Sequence, residues 1–589
     1  MIFPKYKTFQ VLIPLLKAHN IRHIVISPGS RMREFVIAVE EDDFFTTYDV
    51  TDERSASYFA MGISQQLEVP VAIVCTSSTA TTNYVPGVTE AFYQNVPVLV
   101  LTGDRDPYML GQQEDQMINQ VGMYDRVVRM SVTLPIVKND FDKWYAERLI
   151  NEAILELNHH KKGPVHINVP VPAIIYWNDD KEITEYPKVK VIKRYEITEK
   201  YNKQLDIFVE SLSQKKKILV LAGQNTSSFE QKWLSAFFKK FNCIIHAEHM
   251  GNICCDGVMN IAGISEGVKN DFWDEFLPDL IISFHGTFAI SRNLKETIRK
   301  KHCEHWLIDE EGKVVDAYRN LTTVFECDPN TFFKYFVEKA PRTAINNKNY
   351  FELWMNSESL VKIPEFQFSN VYTIHSFLKV LPAHTNLHLS ILNSIRISQY
   401  ISLPEDTKTY ANVGTDGIDG CMSTFFGQAC STERECFLII GDLSFFYDMN
   451  SLRIKHNRSN CHILLINNHG GNEFYQQTIV PTTPQGLGAS HNNSAKAWAE
   501  SVGFKYMTAS DKDSFDSQLQ LFISPKQEKP ILFEIFTDQM TDRESVFELK
   551  KAYYYTIDKN AAMKGVVKDA VKSLIGDNTT KKIKSFLRK

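Results

Sequence analysis

Two aliphatic segments in the last third of the chain run into polar residues where a buried strand would end. The first, CFLII, is followed by Gly441 and Asp442. The second, HILLI, is followed by Asn467, Asn468 and, one residue later, a Gly-Gly pair that starts at Gly470. A carboxylate at the end of a buried strand is unfavourable unless a cation compensates its charge. The two motifs are about 25 residues apart, which leaves room for one crossover helix between parallel strands. Both would then lie at the carboxyl edge of one sheet, where α/β proteins bind ligands.

The oxygen atoms that these residues offer are hard metal ligands. A carboxylate, an amide oxygen and a free carbonyl in a Gly-Gly turn suit Mg²⁺, which keeps further positions for water and phosphate oxygens. A Gly-Asp pair alone is equally typical of a strand end with an acidic cap. The two motifs together, however, resemble the signature of thiamine diphosphate enzymes. That resemblance implies that Asp442, Asn468 and the Gly470 carbonyl hold the metal. The residues expected beside the cofactor diphosphate are Gly441, Ser444 and Asn467.

A thiamine diphosphate site also needs an acid for the aminopyrimidine ring. A buried carboxylic acid hydrogen-bonded to the ring drives it to the imino tautomer, whose nitrogen then takes the proton from the thiazolium carbon. The stretch YDVTDERSASYFAMG places Glu53 directly after a predicted strand and at the start of a helix with small residues. We predict that Glu53 is this acid. An ordinary capping arrangement at the helix N-terminus is the alternative for the same residues.

Short aliphatic segments alternate with helical patterns along three blocks of the chain. This alternation predicts an α/β fold with three doubly wound parallel-sheet domains of the thiamine diphosphate-binding type. The predicted limits are 1–178 for a pyrimidine domain, 200–340 for a central α/β domain and 360–557 for a diphosphate and metal-binding domain. Residues 558–589 form a basic tail with apolar residues at helical spacing. The tail is predicted to pack on its own subunit, with a partner-binding or anionic membrane-surface helix as the alternative.

Composition narrows the class of protein further. The 589 residues carry a net charge of -5, which argues against a nucleic-acid binder whose whole surface is basic. No apolar run reaches the roughly 18 residues that a membrane span needs. Ten cysteines form no CxxC pair and lie mostly in aliphatic runs, as buried thiols do in a reducing compartment. The expected location is therefore the cytoplasm.

One further cluster has side chains that could bind zinc. The stretch HAEHMGNICCD contains His246, His249, Cys254 and Cys255. Its spacing fits no common zinc finger, and adjacent cysteines rarely share one tetrahedral site. We therefore interpret these four residues as structural rather than as a metal site.

A longer set of motifs resembles one family in particular, the menaquinone-pathway synthases that make 2-succinyl-5-enolpyruvyl-6-hydroxy-3-cyclohexene-1-carboxylate (the MenD family). The resemblance extends from about residue 5 to 555. The motifs that carry it, in chain order, are ISPGSRMREFVIAVEE, DERSASYFAMG, VCTSSTATTNYVPGVTEA, VPVLVLTGDRDP, DQMINQVGMY, GIDGCMSTFFG, GDLSFFYDMNSL and NNHGG.

The resemblance implies further roles at matching positions. Ile418 would be the apolar prop beneath the bent cofactor, Ser78 would contact the cofactor, and Mg²⁺ or Mn²⁺ would be the metal. The residues implied to line the substrate pocket are Ser30, Arg31, Arg105, Gln116, Arg292 and Arg396, and Gln116 is also a candidate catalytic residue. Arginine suits such a pocket because its planar fork pairs bidentately with carboxylates.

The resemblance also implies which molecules and chains take part. The substrates would be a 2-oxo acid, 2-oxoglutarate in this family, and a small-molecule acceptor. Glu53 and Asp442 of one active site would lie on different chains, so that the active unit would be a homodimer or homotetramer. No nucleic acid partner is expected, and the basic tail is the one segment for which membrane contact is considered.

Several positions depart from the family pattern. Val413, Leu392 and Ser291 replace an arginine, a serine and a lysine that are common in the family, and Asp416 adds an acid near Val413. After the metal loop, His469 replaces an asparagine and Glu473 replaces an apolar residue. His469 and Glu473 are candidate acid/base groups near the thiazolium, with plain structural substitution as the alternative.

These departures keep the choice of acceptor open. Fewer cations and more acids should weaken the binding of isochorismate, a dicarboxylate, because a buried charge that loses its partner costs about 3–5 kcal/mol. The leading hypothesis is a carboligase that decarboxylates a 2-oxo acid and adds the acyl unit to an acceptor. The alternatives are a plain 2-oxo acid decarboxylase, a carboligase with another acceptor such as a sugar, and a non-catalytic scaffold.

Overall fold

The computed structural model describes residues 2–172, 183–194, 205–227, 229–268, 272–301, 303–341, 348–473, 485–525 and 527–554.

The first sheet has six strands in the order β2-β1-β3-β4-β6-β5, and its strand pairs are parallel. Its strands are β1 (His23–Ile26), β2 (Thr46–Asp49), β3 (Val71–Cys75), β4 (Val98–Asp104), β5 (Met130–Thr133) and β6 (Val165–Pro170). The helices of this part of the chain are α1 (Lys7–Ala18), α2 (Arg33–Glu40), α3 (Glu53–Leu67), α4 (Thr79–Tyr93) and α5 (Asp140–Glu156).

The central sheet also has six parallel strands, in the order β12-β11-β10-β7-β8-β9. Its strands are β7 (Ile218–Ala222), β8 (Cys243–Ala247), β9 (Val258–Met259), β10 (Leu280–Phe284), β11 (Glu304–Ile308) and β12 (Leu321–Phe325). The helices are α6 (Asp206–Gln214), α7 (Lys232–Lys240), α8 (Ala262–Glu266), α9 (Trp273–Phe276), α10 (Arg292–Lys300), α11 (Pro329–Lys339) and α12 (Asn349–Glu358).

The third sheet repeats the strand order of the first, as β14-β13-β15-β16-β18-β17. Its strands are β13 (Asn386–Leu389), β14 (Lys408–Tyr410), β15 (Cys436–Gly441), β16 (Cys461–Asn467), β17 (Lys505–Ala509) and β18 (Ile531–Phe536). The helices of this part of the chain are α13 (Asn370–Val380), α14 (Asn393–Ser398), α15 (Cys421–Cys430), α16 (Asp442–Tyr447), α17 (Gln485–Gly488), α18 (Lys496–Ser501), α19 (Lys512–Ile523) and α20 (Gln539–Tyr554), of which α20 belongs almost entirely to the compact unit of the central sheet.

The three sheets confirm the predicted fold class of doubly wound parallel α/β domains. Strands β3 and β16 are buried along their whole lengths, as expected for parallel strands that are covered on both faces. None of the helices in the described ranges is long and apolar enough to cross a membrane. The predicted tail, residues 558–589, lies outside the described residues.

The chain forms two compact units. One contains Met1–Tyr201, Thr226–Ser228 and Thr373–Gln539, and therefore the first and third sheets. The other contains Asn202–Asn225, Phe229–Tyr372 and Met540–Lys589, and therefore the central sheet. The domain limits drawn from the sequence remain predictions.

Helices α3 and α15 join the first and third sheets within the first unit. A single apolar core includes residues of both sheets and of both helices, among them Ile63, Ile73, Phe425 and Leu465. The helices approach so closely that a Cβ atom on Gly427 would lie 2.0 Å from the Phe59 carbonyl oxygen. A Cβ on Gly62 would lie 2.1 Å from the Thr424 carbonyl oxygen. Glycine at both positions is therefore a packing requirement.

We expect Gly427→Ala to destabilise the protein, because its methyl group would meet backbone atoms that cannot move without separating the helices. Overpacking of this kind typically costs about 1–3 kcal/mol, measurable as a lower midpoint of thermal or urea unfolding. Gly486→Ala is the matched control, since a Cβ there has no neighbouring atom within 4 Å among the residues that the structure describes. Equal stability of the two variants would contradict the tight crossing.

Candidate active site

Asp442 lies at the junction of β15 and α16, at the carboxyl edge of the third sheet. The residue is 3% exposed. Oδ1 accepts the Leu443 N–H at 2.6 Å, and Oδ2 accepts the Gly470 N–H at 2.9 Å. Burial raises the pKa of Asp442, and His491, whose Nε2 lies 3.3 Å from Oδ2, acts in the opposite direction. The carboxylate is thus held in place by backbone amides, and a cation at this edge would offset its burial.

The loop after β16 brings the other predicted metal ligands to Asp442. Asn468 is buried at the end of this strand. Gly470 has a φ of 146°, and a Cβ on it would lie 2.6 Å from the Gly488 carbonyl oxygen, so this position requires glycine. The Asp442 carboxylate thus contacts the loop that carries Asn468 and Gly470. A donor set of carboxylate, amide and carbonyl oxygens fits Mg²⁺ or Mn²⁺.

Asn467 positions this loop through a buried acid, Glu534, that is not among the residues predicted from the sequence. The Asn467 side chain donates to Glu534 Oε1 at 2.7 Å. Glu534 is fully buried on β18 and also accepts hydrogen bonds from the Ser494 hydroxyl at 2.8 Å and the Tyr506 hydroxyl at 2.8 Å. The signal in the sequence was a lone acid within the aliphatic run ILFEIF. Glu534 therefore fixes the end of β16, from which the loop with Asn468 and Gly470 starts.

Glu53 is the first residue of α3, directly after β2, as predicted. The helix is capped by its neighbour Asp52, whose Oδ1 accepts the Arg54 N–H at 3.1 Å. The Glu53 carboxylate is half-buried and accepts from Asn83 Nδ2 at 3.4 Å. Burial, and next the Glu53 charge, raise the pKa of the Cys75 thiol. Capping is thus the task of Asp52, and the role of Glu53 as the pyrimidine acid stays a prediction.

Two predicted pocket arginines lie together at the carboxyl edge of the first sheet. Arg31 is buried in the short helix Ser30–Met32, and its pKa is lowered by burial and then by the neighbouring charge of Arg105. Arg105 in turn pairs with Glu114 at 3.3 Å and with Asp115 at 2.8 Å. Two adjacent guanidinium groups, one of them buried, favour an anionic ligand at this edge.

Ser78 and Gln116 lie in loops that are tied to each other. Ser78 has φ 74° and ψ −131°, an uncommon conformation for a residue with a side chain. Its N–H donates to Gln120 Oε1 at 2.8 Å, and the Ser77 hydroxyl donates to the Gln116 carbonyl at 2.9 Å. Gln120 is buried and also donates to the Gly103 carbonyl at 3.1 Å. No local pattern in the sequence distinguishes Gln120 as a candidate site residue.

Ile418 lies in the loop between β14 and α15. Its carbonyl accepts the Ser444 hydroxyl at 2.6 Å. The structure thus links the predicted apolar prop directly to the helix that begins at Asp442. Val413, in the same loop, is buried, whereas Asp416 is exposed with a φ of 55°.

Glu473 and Arg396 form an ion pair of 2.6 Å. The acid that departs from the family pattern therefore neutralises one of the predicted pocket arginines. Arg396 belongs to α14, whose first residue follows Leu392 with its φ of 64°. His469 stacks its ring on Phe536, with centroids 5.8 Å apart. The acid/base roles of His469 and Glu473 stay predictions.

Arg292 is the first residue of α10, in the part of the chain that forms the central sheet. The residue before it, Ser291, donates its hydroxyl to Glu248 Oε1 at 2.6 Å and lies 2.8 Å from His246 Nε2. His246 is thus engaged in a buried hydrogen-bond network, whereas Cys254 is exposed. The described part of the chain contains no group of three His, Cys, Asp or Glu side chains placed to hold a metal ion.

Asp448 is the residue directly after α16, the helix that begins at Asp442. It is fully buried and accepts the Ser423 N–H at 2.7 Å, the Ser423 hydroxyl at 2.8 Å and the Ser55 hydroxyl at 3.3 Å. Burial raises the pKa of Asp448 to about 6. This carboxyl group therefore connects the end of α16 to both α15 and α3.

The chain resembles known proteins over most of its length. Residues 6–123 match the family described as thiamine pyrophosphate enzyme, N-terminal TPP binding domain. A 2-succinyl-5-enolpyruvyl-6-hydroxy-3-cyclohexene-1-carboxylate synthase of Phocaeicola vulgatus is 37% identical over 93% of this chain and 98% of its own. Synthases with the same name from Bacteroides thetaiotaomicron and Flavobacterium psychrophilum are 36% and 33% identical, over 94% and 91% of this chain and 99% and 97% of their own.

The raised pKa of Asp448 predicts a pH-dependent stability. The folded protein holds this proton more tightly than the unfolded chain, so the free energy of unfolding should fall as pH rises from about 4 to about 6. The shift from 3.8 to about 6 corresponds to about 3 kcal/mol. Asp448→Asn, which mimics the protonated form, should lack this contribution. Urea unfolding of both proteins across this range measures the difference, and identical pH profiles would contradict the assignment.

Proposed function

The chain belongs to the family of 2-succinyl-5-enolpyruvyl-6-hydroxy-3-cyclohexene-1-carboxylate synthases, and on that basis we propose that it is a thiamine diphosphate-dependent transferase. It decarboxylates 2-oxoglutarate and adds the acyl unit to an acceptor, the carboligation step of menaquinone biosynthesis. The observation that carries this proposal is the buried Asp442 carboxylate, held beside Asn468 and Gly470 at the carboxyl edge of the third sheet.

Each predicted residue has a distinct task in this proposal. Asp442, Asn468 and the Gly470 carbonyl would hold Mg²⁺ or Mn²⁺, to which the cofactor diphosphate binds. Thiamine diphosphate supplies, when bound, a carbon centre that stabilises the acyl anion formed on loss of CO₂. Glu53 would hold a proton at the pyrimidine ring nitrogen. Ile418 would support the cofactor from below.

The substrate carboxylates would bind to the cationic edge of the first sheet. Arg31 and Arg105 lie together there, and the acids that pair with Arg105 are on a loop, where an incoming carboxylate can replace them. Ser30 and Gln116 would add hydrogen bonds. Arg292 and Arg396 stay predicted members of the pocket from their sequence positions.

We further propose a homodimer or homotetramer in the cytoplasm, with Glu53 and Asp442 of each site contributed by different subunits. The family resemblance supports this assembly. All ten cysteines are free thiols, which supports a reducing compartment.

The Glu473–Arg396 ion pair favours a second candidate, the same donor chemistry with another acceptor. An arginine that is already neutralised within the protein attracts an anionic acceptor less strongly. A neutral, hydroxyl-rich acceptor such as a sugar needs no such cation.

The central test is release of CO₂ from 2-oxoglutarate by the purified protein with thiamine diphosphate and Mg²⁺. Glu53→Gln should lower this rate by about 10²–10⁴-fold, the usual contribution of general acid–base catalysis. Its affinity for the cofactor, measured by calorimetry, should change far less. A wild-type protein that releases no CO₂, and whose melting temperature is unchanged by thiamine diphosphate and Mg²⁺, would favour the non-catalytic scaffold.

The acceptor question is tested by Glu473→Gln. Releasing Arg396 should lower the KM for isochorismate by about tenfold, a change of about 1.4 kcal/mol. Asp406→Asn is the matched control, because it breaks the Arg434–Asp406 pair, also 2.6 Å long, elsewhere in the third domain. An unchanged KM for isochorismate would show that Glu473 does not compete with this substrate for Arg396.

A further inference from the structure

Glu90 is a buried acid of the first domain, and most of its hydrogen-bond donors lie in the third domain. It belongs to α4 and is 0% exposed. Oε1 accepts the Gly414 N–H at 2.8 Å, and Oε2 accepts the Thr415 N–H at 2.7 Å and the Thr415 hydroxyl. The side-chain amide of Gln94, one turn along α4, donates to Oε1. One carboxylate thus receives four hydrogen bonds.

All four donors to Glu90 are neutral. A buried carboxylate is unfavourable unless its lone pairs are satisfied, and here the satisfying groups are mainly two consecutive backbone amides. Each of these amides donates to a different oxygen of the carboxylate, so the bonds restrain the direction of the loop as well as its distance. Such an arrangement restrains the backbone of Gly414 and Thr415.

The restrained segment is the 412–419 loop, which carries Ile418. The Tyr58 hydroxyl on α3 donates to Asp419 Oδ2 at 2.9 Å, on the other side of Ile418. The Ser444 hydroxyl donates to the Ile418 carbonyl itself. The loop is therefore held before, at and after Ile418, and the first and last of these contacts come from helices of the first sheet.

We propose that Glu90 is a positioning residue for the cofactor: with Tyr58, it sets the place of Ile418 and so the bent shape in which thiamine diphosphate is bound. This inference rests on the proposed function. It assigns to the first domain a second task besides supplying Glu53, namely to shape the cofactor pocket of the third domain in the same chain. Displacements of about 1 Å around reacting groups can lower rates by about 10²-fold.

Glu90→Gln tests the proposal. The new NH₂ group would face the Thr415 amide, donor against donor, and should release the loop. We expect an increase of about tenfold in the Kd for thiamine diphosphate with Mg²⁺ present, and a decrease of about tenfold or more in kcat for CO₂ release. The near-ultraviolet circular dichroism of the saturated enzyme should also change. Hydrogen exchange of the amides in the 412–419 loop should accelerate by about tenfold in the cofactor-free protein.

Two further variants keep the test decisive. Glu147→Gln changes another buried glutamate of the first domain, which pairs with Lys143 at 3.4 Å, and should leave all four measurements unchanged. If Glu90→Gln does not fold, Tyr58→Phe removes only the bond to Asp419 and should produce smaller changes in the same direction.

The outcomes separate this inference from the proposed function. A lower melting temperature with wild-type Kd, kcat, dichroism and loop exchange would overturn the positioning role and leave Glu90 a purely structural residue. If the wild-type protein binds no thiamine diphosphate, the proposed function fails and the cofactor role of Glu90 fails with it. Loop exchange would then still show whether Glu90 restrains the 412–419 loop.

Discussion

The burial of Asp442 at the end of β15 is the constraint on which the third domain depends. A carboxylate that is 3% exposed cannot remain charged without compensation, and backbone amides supply only part of it. The loop after β16 lies against the Asp442 carboxylate. The shape of this loop depends on Gly470 and on the hydrogen bond from Asn467 to Glu534. A divalent cation bound here would compensate the acid and bind a diphosphate at once.

The first and third sheets have the same strand order but carry different chemical groups. The first sheet provides Glu53 and the adjacent cations Arg31 and Arg105, and the third provides oxygen ligands at Asp442 and its loop. Helices α3 and α15 hold the two sheets together through a glycine on each helix. Because this contact leaves no room for a methyl group, the distance between the two sheets is set by backbone atoms.

One sequence pattern predicts both the strands of the sheets and the residues proposed as metal ligands. Aliphatic runs that end in Gly, Asp or Asn mark both the strands and the edge where Asp442 and Asn468 meet. Glu90 could not be found in this way, because it bonds to residues 324 and 325 positions away. Gln120 and the Glu473–Arg396 pair are likewise visible only once distant segments are folded together. Glu534 left a local signal, a single acid in an aliphatic strand, but its partners come from three segments of the third domain.

Helix α3 carries Glu53 at its first residue and, little more than one turn later, Tyr58, which anchors the 412–419 loop. A short α-helix is nearly rigid along its axis, so a shift at one of these positions is transmitted to the other. With the roles proposed for Glu53 and Tyr58, a change in α3 would affect both the acid at the pyrimidine ring and the place of Ile418. Arg396, in α14, and Glu473, which follows β16, lie outside this helix. New substrate specificities in such a chain would arise more readily by substitution at these two positions.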